Sequence, residues 1–212
     1  MREQLQAGLS MGMAGIPWWT SDIGGFLGGQ VDDPAFRELL VRWFQWACFC
    51  PVFRMHGERS PWYEREQEYI GDVRQLTSGQ SNEVWSFGDE VYEILRKYLF
   101  VRERMRPYIR EVMRAAHEHG DPVMRPLFYG FPADKAAWSV EDEYLFGADV
   151  LVAPVLEAGA RMRDVYLPAG ADWMDAATGA EYAGGQTVRM DAPLETMPVL
   201  IRKGSGVRVY KS

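Results

Sequence analysis

Near Gly120-Asp121-Pro122 the spacing of apolar residues changes from three or four to two, which limits the chain to folds where a helical half precedes a strand-rich half. Before the switch, Phe36, Leu39, Leu40, Trp43, Phe44 and Ala47 keep a helical rhythm behind Asp33-Pro34, an N-cap with proline at the first helical position. Pro51 is expected to end that helix. A second helical stretch covers 86–119, with a capping-box-like start at Ser86 and Asp89 and a stripe of Val91, Ile94, Leu95, Tyr98 and Leu99. Pro107 is expected to split or kink it, and Gly120 with Pro122 to stop it. Two short bulky segments, 16–23 and 52–57, read as strand ends; the first empties into Gly24-Gly25-Phe26-Leu27-Gly28-Gly29, the second into a polar loop over 58–80. Beyond the switch, residues 123–128, 150–156, 165–167, 187–190 and 199–202 alternate with period two, and Thr178-Gly179 and Gly184-Gly185 mark turns.

Strand, helix, strand, helix and then an antiparallel module is the order of an α/β plus β protein: the C-terminal part of a (β/α)8 TIM barrel followed by a small antiparallel β-sandwich. The expected division is 1–120 for the last βα units of the barrel and 121–212 for the sandwich. Two βα units cannot close an eightfold barrel, so the chain is expected to be truncated at its front, leaving strand edges uncovered.

Composition narrows the partners. With 212 residues, 47% of them hydrophobic, the chain can bury an ordinary core. Its 23 Lys and Arg against 30 Asp and Glu give a net charge of −7 with no basic tail, which argues against nucleic acid and against an anionic membrane surface. No apolar run approaches the roughly 18 to 20 residues of a membrane span. The start, Met1-Arg-Glu-Gln, lacks the apolar core of a secretory leader, and the expected location is the cytoplasm. Cys48 and Cys50 stand too close for an ordinary bridge and read as buried packing; no second Cys or His pair joins them at metal-ligand spacing. Thirteen per cent aromatic residues, with 8 Trp, calls for either flat core packing or a pocket that stacks on rings.

In a barrel, polar residues at strand C-termini face the site, and two clusters qualify: Trp18, Trp19, Asp22 and Phe26, then Arg54 and His56. The aromatics could stack on a sugar while Asp22, Arg54 and His56 hydrogen-bond its hydroxyls. Equally, Asp22 and Arg54 could form a structural ion pair and the tryptophans fill the core, and spacing alone leaves both readings open. His117 and His119, two apart on a helix, point to different faces and suit a helix C-terminus rather than a metal. Glu64, Glu66 and Glu68 read as a solvated loop. Fingerprints of nucleotide binders, serine hydrolases and zincins do not occur.

Taken together, Gly15-Ile-Pro-Trp-Trp-Thr-Ser-Asp22-Ile-Gly-Gly-Phe26, Arg42-Trp-Phe-Gln45, Cys50-Pro-Val-Phe-Arg54-Met-His56-Gly57, Arg125-Pro-Leu-Phe128 and Phe146-Gly-Ala-Asp149-Val-Leu-Val-Ala-Pro154-Val resemble glycoside hydrolase family 31, the α-glucosidases and α-xylosidases. The likeness spans essentially the whole chain in order and spacing. It implies a retaining hydrolase of non-reducing terminal α-glucosides or α-xylosides, needing no metal or organic cofactor, with two aspartates about 5 Å apart. The family's nucleophile stretch, Trp-x-Asp-x-Asn-Glu-like, is not in this sequence, and the first ten residues resemble the helix that follows the acid/base strand. Both catalytic aspartates are thus expected upstream, and the chain alone is expected to be inactive. The resemblance makes His56 a hydrogen-bond partner of the sugar at the cleavage point and Phe26 an aromatic wall. Asp22 and Arg54 match polar positions of the same motifs, Trp18 and Trp19 are expected to pack, and the β-rich half to be a support. The partner is then an oligosaccharide or glycoside substrate. The rival expectation is a non-catalytic carbohydrate-binding or interaction module. Glucose against xylose rests on room for one hydroxymethyl group, governed largely by upstream residues.

Overall fold

The computed structural model describes residues 1–57, 59, 69–70, 73–74 and 81–210. Helix α1 (Arg2–Met13) opens the chain, and Asp33 caps α2 (Pro34–Ala47) by accepting from the Ala35 N–H at 3.0 Å, with Pro34 at the first turn. Helix α2 buries Phe36, Leu40, Trp43, Phe44 and Ala47 of the expected stripe but leaves Leu39 40% exposed, and from Leu40 to Ala47 it is buried all round, Arg42 and Gln45 included. It stops at Ala47, ahead of Pro51, because the chain turns immediately: Phe49 and Cys50 N–H groups donate to the Trp46 and Ala47 carbonyls.

The expected strands at 16–23 and 52–57 do not form. Neither has ladder pairing: the backbone bond between them is the Val52 N–H to the Trp19 carbonyl at 3.1 Å, the Trp19 N–H turns back on the Pro17 carbonyl at 3.1 Å, and Ile23-Gly24 is a turn. In the expected loop over 58–80 lies a short hairpin, β1 (Tyr69–Ile70) with β2 (Val73–Arg74); Glu64, Glu66 and Glu68 lie outside the described residues.

The long helical stretch is two helices, α3 (Asp89–Arg104) and α4 (Arg106–His119), divided at Met105 with Pro107 in the first turn of α4. Helix α3 starts later than expected: Ser86 donates to Glu83 Oε2 at 2.9 Å instead of capping, and Gly88 is the N-cap. Gly120, in the left-handed region, ends α4, and His117 and His119 are exposed in its last turn.

The rest is antiparallel. After β3 (Met124–Pro126) come the one-turn α5 (Leu127–Gly130), a 3-10 turn at Ala136–Ser139, and β4 (Tyr144–Phe146), β5 (Val150–Val152) and β6 (Met162–Leu167). Strands β7 (Asp172–Asp175), β8 (Glu181–Ala183), β9 (Gln186–Asp191) and β10 (Val199–Arg202) complete the chain. One sheet has the order β3-β4-β5-β10-β7-β8, and β6 pairs with β9 as a separate ribbon. The two layers are therefore unequal, six strands against two.

The sheet's two faces have different covers, and the side-chain alternation assigns them. Tyr144, Phe146, Val150, Val152, Val199 and Ile201 share a core with residues of α2 and α3, while Leu145, Leu151 and Leu200 point the other way to Val165, Leu167, Trp173 and Met190. Burial on both faces makes β4 and β5 continuously apolar. Polar clasps reinforce the junction. Tyr144 donates its hydroxyl to the Phe49 carbonyl at 2.8 Å, and the buried Arg42 donates to the carbonyls of Ala160, Ala192, Pro193 and Thr196 at 3.1, 2.7, 3.2 and 2.7 Å. Gln45 on the next turn donates to the Leu194 carbonyl at 2.6 Å.

Candidate functional site

Segments 16–23 and 52–57 carry Asp22, Arg54 and His56, Phe26 lies in the glycine-rich loop after the first, and α2 and α3 fix both segments. Trp43 Nε1 donates to Ser21 Oγ at 2.9 Å, anchoring the residue before Asp22. On the other side, Phe53 sits edge-on to Phe44 at 4.8 Å, under the Arg102 guanidinium at 5.8 Å. Arg102 also donates to the carbonyls of Cys48, Cys50 and Pro51 at 2.9, 2.6 and 2.8 Å, holding the approach to Arg54 against α3. Burial lowers the Arg102 pKa, an effect the neighbouring thiols and Tyr144 partly oppose.

The four expected site residues come together as two pairs. Arg54 forms an ion pair through Nη2 with Asp22 Oδ1, the arginine half exposed and the aspartate mostly covered. Farther out, the rings of Phe26 and His56 lie 5.5 Å apart, tilted by 34°. Phe26 is 50% exposed and His56 is exposed, so neither ring belongs to the core. A sugar needs this mixture: an apolar ring face for its C–H edges beside a donor or acceptor for its hydroxyls. Of the two tryptophans expected to pack, Trp19 is half-buried against the core, whereas Trp18 is 70% exposed and does not pack.

Close approach keeps the two loops in register. Gly57 adopts φ 144°, and a Cβ there would fall 2.6 Å from the Gly25 carbonyl oxygen and 2.9 Å from that of Phe26. Cys48 and Cys50 are buried and unbridged; burial pushes the Cys48 thiol up to about 12 and that of Cys50 higher still, which suits packing and not redox chemistry. Among the described residues no group of three or more His, Cys, Asp or Glu side chains is placed to hold a metal ion, and no helix is long and apolar enough to cross a membrane.

Reasoning from sequence missed Arg59. It is fully buried, donating to the carbonyls of Ile23 and Gly25 at 2.6 and 2.8 Å directly beneath the Phe26 loop. An arginine opening a polar stretch carries no signal of burial.

Comparison with known proteins gives a consistent result. The family description "Glycosyl hydrolases family 31 TIM-barrel domain" matches residues 1–112, and "Glycosyl hydrolase family 31 C-terminal domain" matches 120–207. An α-xylosidase of Saccharolobus solfataricus is 34% identical over 205 residues, which is 97% of this chain and 25% of that protein. Alpha-glucosidase 2 of Bacillus thermoamyloliquefaciens is 36% identical over 209 residues, 97% of this chain and 24% of its own length. The crystal structure of a family 31 α-xylosidase from a soil metagenome, complexed with xylose, superposes with a TM-score of 0.89 at 56% identity, over 95% of this chain and 30% of that one. The chain thus spans about a quarter of the length of these curated relatives.

Proposed function

Because this chain belongs to glycoside hydrolase family 31, we propose that it forms one wall of the sugar pocket of a retaining α-glycosidase acting on non-reducing terminal α-glucosides or α-xylosides, with both catalytic aspartates outside these residues. In this reading residues 1–120 supply the last βα units of the barrel, and 121–212 are a β support that covers the helices from behind. The observation that carries it is the Phe26–His56 pair, an exposed aromatic face and an imidazole 5.5 Å apart on adjoining loops.

Retaining hydrolysis passes through an oxocarbenium-like transition state between two carboxyl groups about 5 Å apart, one attacking the anomeric carbon and one protonating the leaving oxygen. This chain's part is binding and orientation. The His56 imidazole hydrogen-bonds a ring hydroxyl, Phe26 covers the apolar edge of the sugar, and the free edges of the Asp22–Arg54 pair meet further hydroxyls. With its Oδ1 taken up by Arg54, Asp22 suits accepting a hydroxyl proton better than attacking carbon. Hydroxyl contacts that tighten in the transition state raise the rate as well as the affinity.

Amide and side-chain NMR of the chain titrated with D-xylose and with D-glucose tests the reading. Expected are shifts confined to residues 22–26 and 54–57 and lost in His56→Ala, with an affinity on the order of millimolar because much of the pocket is missing. Shifts elsewhere would refute it, and micromolar affinity would favour a self-sufficient binding module.

A further inference from the structure

The loop that carries Phe26 runs from Ile23 to Gly28, and its carbonyl groups converge on a single cation. Arg59 is 0% exposed, and its Nη2 donates to the Ile23 carbonyl at 2.6 Å. Its Nη1 faces the carbonyls of Gly24, Gly25 and Gly28 at 3.5, 2.8 and 3.2 Å. Nε donates to Asn82 Oδ1 at 3.0 Å, and the guanidinium lies over the Phe36 ring at 5.1 Å. Asn82 in turn donates to the Gly57 carbonyl at 3.3 Å, one residue beyond His56.

A ring of inward-turned carbonyls is unstable by itself, since their negative ends repel and each loses its water. A planar guanidinium with donors in a fixed fork meets several such carbonyls in one geometry, whereas an ammonium is a point charge with three donors on a flexible stem. The space is matched to that group. A Cβ at Gly24, whose φ is 79°, would lie 2.9 Å from Arg59 Nη2 and 2.8 Å from Leu40 Cδ1. The loop's backbone and the guanidinium therefore require each other.

We propose that Arg59 is a positioning residue for the sugar wall. It sets the curvature of the Phe26 loop from inside and, through Asn82 and Gly57, ties that loop to the segment bearing His56, so that the two rings meet at one spacing. Arg59 does not touch the sugar. The geometric claim stands on the contacts above, and only the destination of the wall, a glycoside, rests on the proposed function.

The test reads ring positions in the chain itself. The side-chain NMR signals of His56 and the cross-relaxation between His56 and Phe26 are compared in wild type, Arg59→Met, Arg59→Lys and Asn82→Ala. His117 and His119, exposed on α4, serve as internal controls. Expected in Arg59→Met is loss of the His56–Phe26 cross-peak and movement of the His56 signals to those of a free histidine, with the control signals unmoved. Arg59→Lys recovers part of the cross-peak, and Asn82→Ala weakens it. Should Arg59→Met fail to fold, the lysine and Asn82 variants carry the same comparison. A folded Arg59→Met with the wild-type cross-peak overturns the proposal, and so does an unchanged cross-peak in both other variants. Titration with D-xylose on the same samples separates the two claims: a wall that loosens as expected but never binds xylose refutes the sugar reading and leaves the positioning role standing.

Discussion

Arg42→Leu should be the most damaging single change at the junction between the helices and the sheet. The arginine is 4% exposed and meets four backbone carbonyls of residues 160–196, with Gln45 Oε1 as a fifth acceptor at 3.1 Å. Burial lowers its pKa to about 10, with the nearby Arg161 adding to the effect, so keeping the charge there already carries a desolvation penalty that leucine would relieve. Against that relief stand the Ala192 and Thr196 carbonyls, which lose their donor at roughly 1 to 3 kcal/mol each, and a leucine too short to fill the space; the Ala160 and Pro193 carbonyls keep Arg161 Nη1 at 2.9 Å and the Thr196 N–H at 3.0 Å. If about half of the carbonyl loss is recovered by water entering at the rim and by the relief of desolvation, the net is about 1 to 3 kcal/mol, a large share of a marginal stability. Urea unfolding followed by tryptophan fluorescence measures this directly. By contrast, Arg161→Leu, which breaks a more exposed pair with Glu38, should change stability by less than about 1 kcal/mol. A loss below about 1 kcal/mol for Arg42→Leu would refute the argument that the clasp joins the two halves.

Three further outcomes follow from particular contacts. Burial raises the Glu143 pKa from its ordinary 4.5 to about 8, with Arg163 and the Tyr166 N–H only partly opposing it; its stabilising contribution is present below pH 4.5 and lost as pH rises through 8. Glu143→Gln should thus gain on the wild type across that window, by at most about 1.4 kcal/mol per pH unit, and parallel urea midpoints at both ends would contradict this. Gly57→Ala should drive the two site loops apart, costing about 1 to 3 kcal/mol in thermal unfolding and abolishing D-xylose shifts; wild-type behaviour in both would count against the register described for Gly57. Cys48 and Cys50, at 0% and 1% exposure, should ignore an aromatic disulfide reagent in the folded chain and react fully in urea, whereas rapid native labelling would show the burial to be wrong.

Local chemistry was the legible part of this fold. Asp33-Pro34 and Gly120 mark helix ends because capping is decided within a few residues, and 199–202 coincides with β10 because its alternation is flanked by clear turns. Strands β4, β7 and β8 went unread: β4 has three residues, apolar on both faces, and lacks the longer apolar run that extends beyond β5, β7 is charged at both ends, and β8 has three residues opening on a charge. The segments 16–23 and 52–57 have strand-like composition, but a ladder depends on neighbours that local sequence does not encode. At the candidate site, Asp22, Phe26, Arg54 and His56 are singled out by motif and resemblance, and the structure brings them together as two pairs. Those that position them, Arg59, Arg102 and Asn82, bind backbone carbonyls far along the chain, and no spacing rule foretells such partners.

Hydrolysis of aryl α-xyloside and aryl α-glucoside by the purified chain tests the central claim most directly. No release above the uncatalysed rate is predicted, since the proposed role of His56 and Phe26 is to bind a sugar and nothing assigned to this wall attacks or protonates the glycosidic bond. Turnover that disappears in Asp22→Asn would contradict the account, for it would put a reacting carboxyl group inside the wall itself.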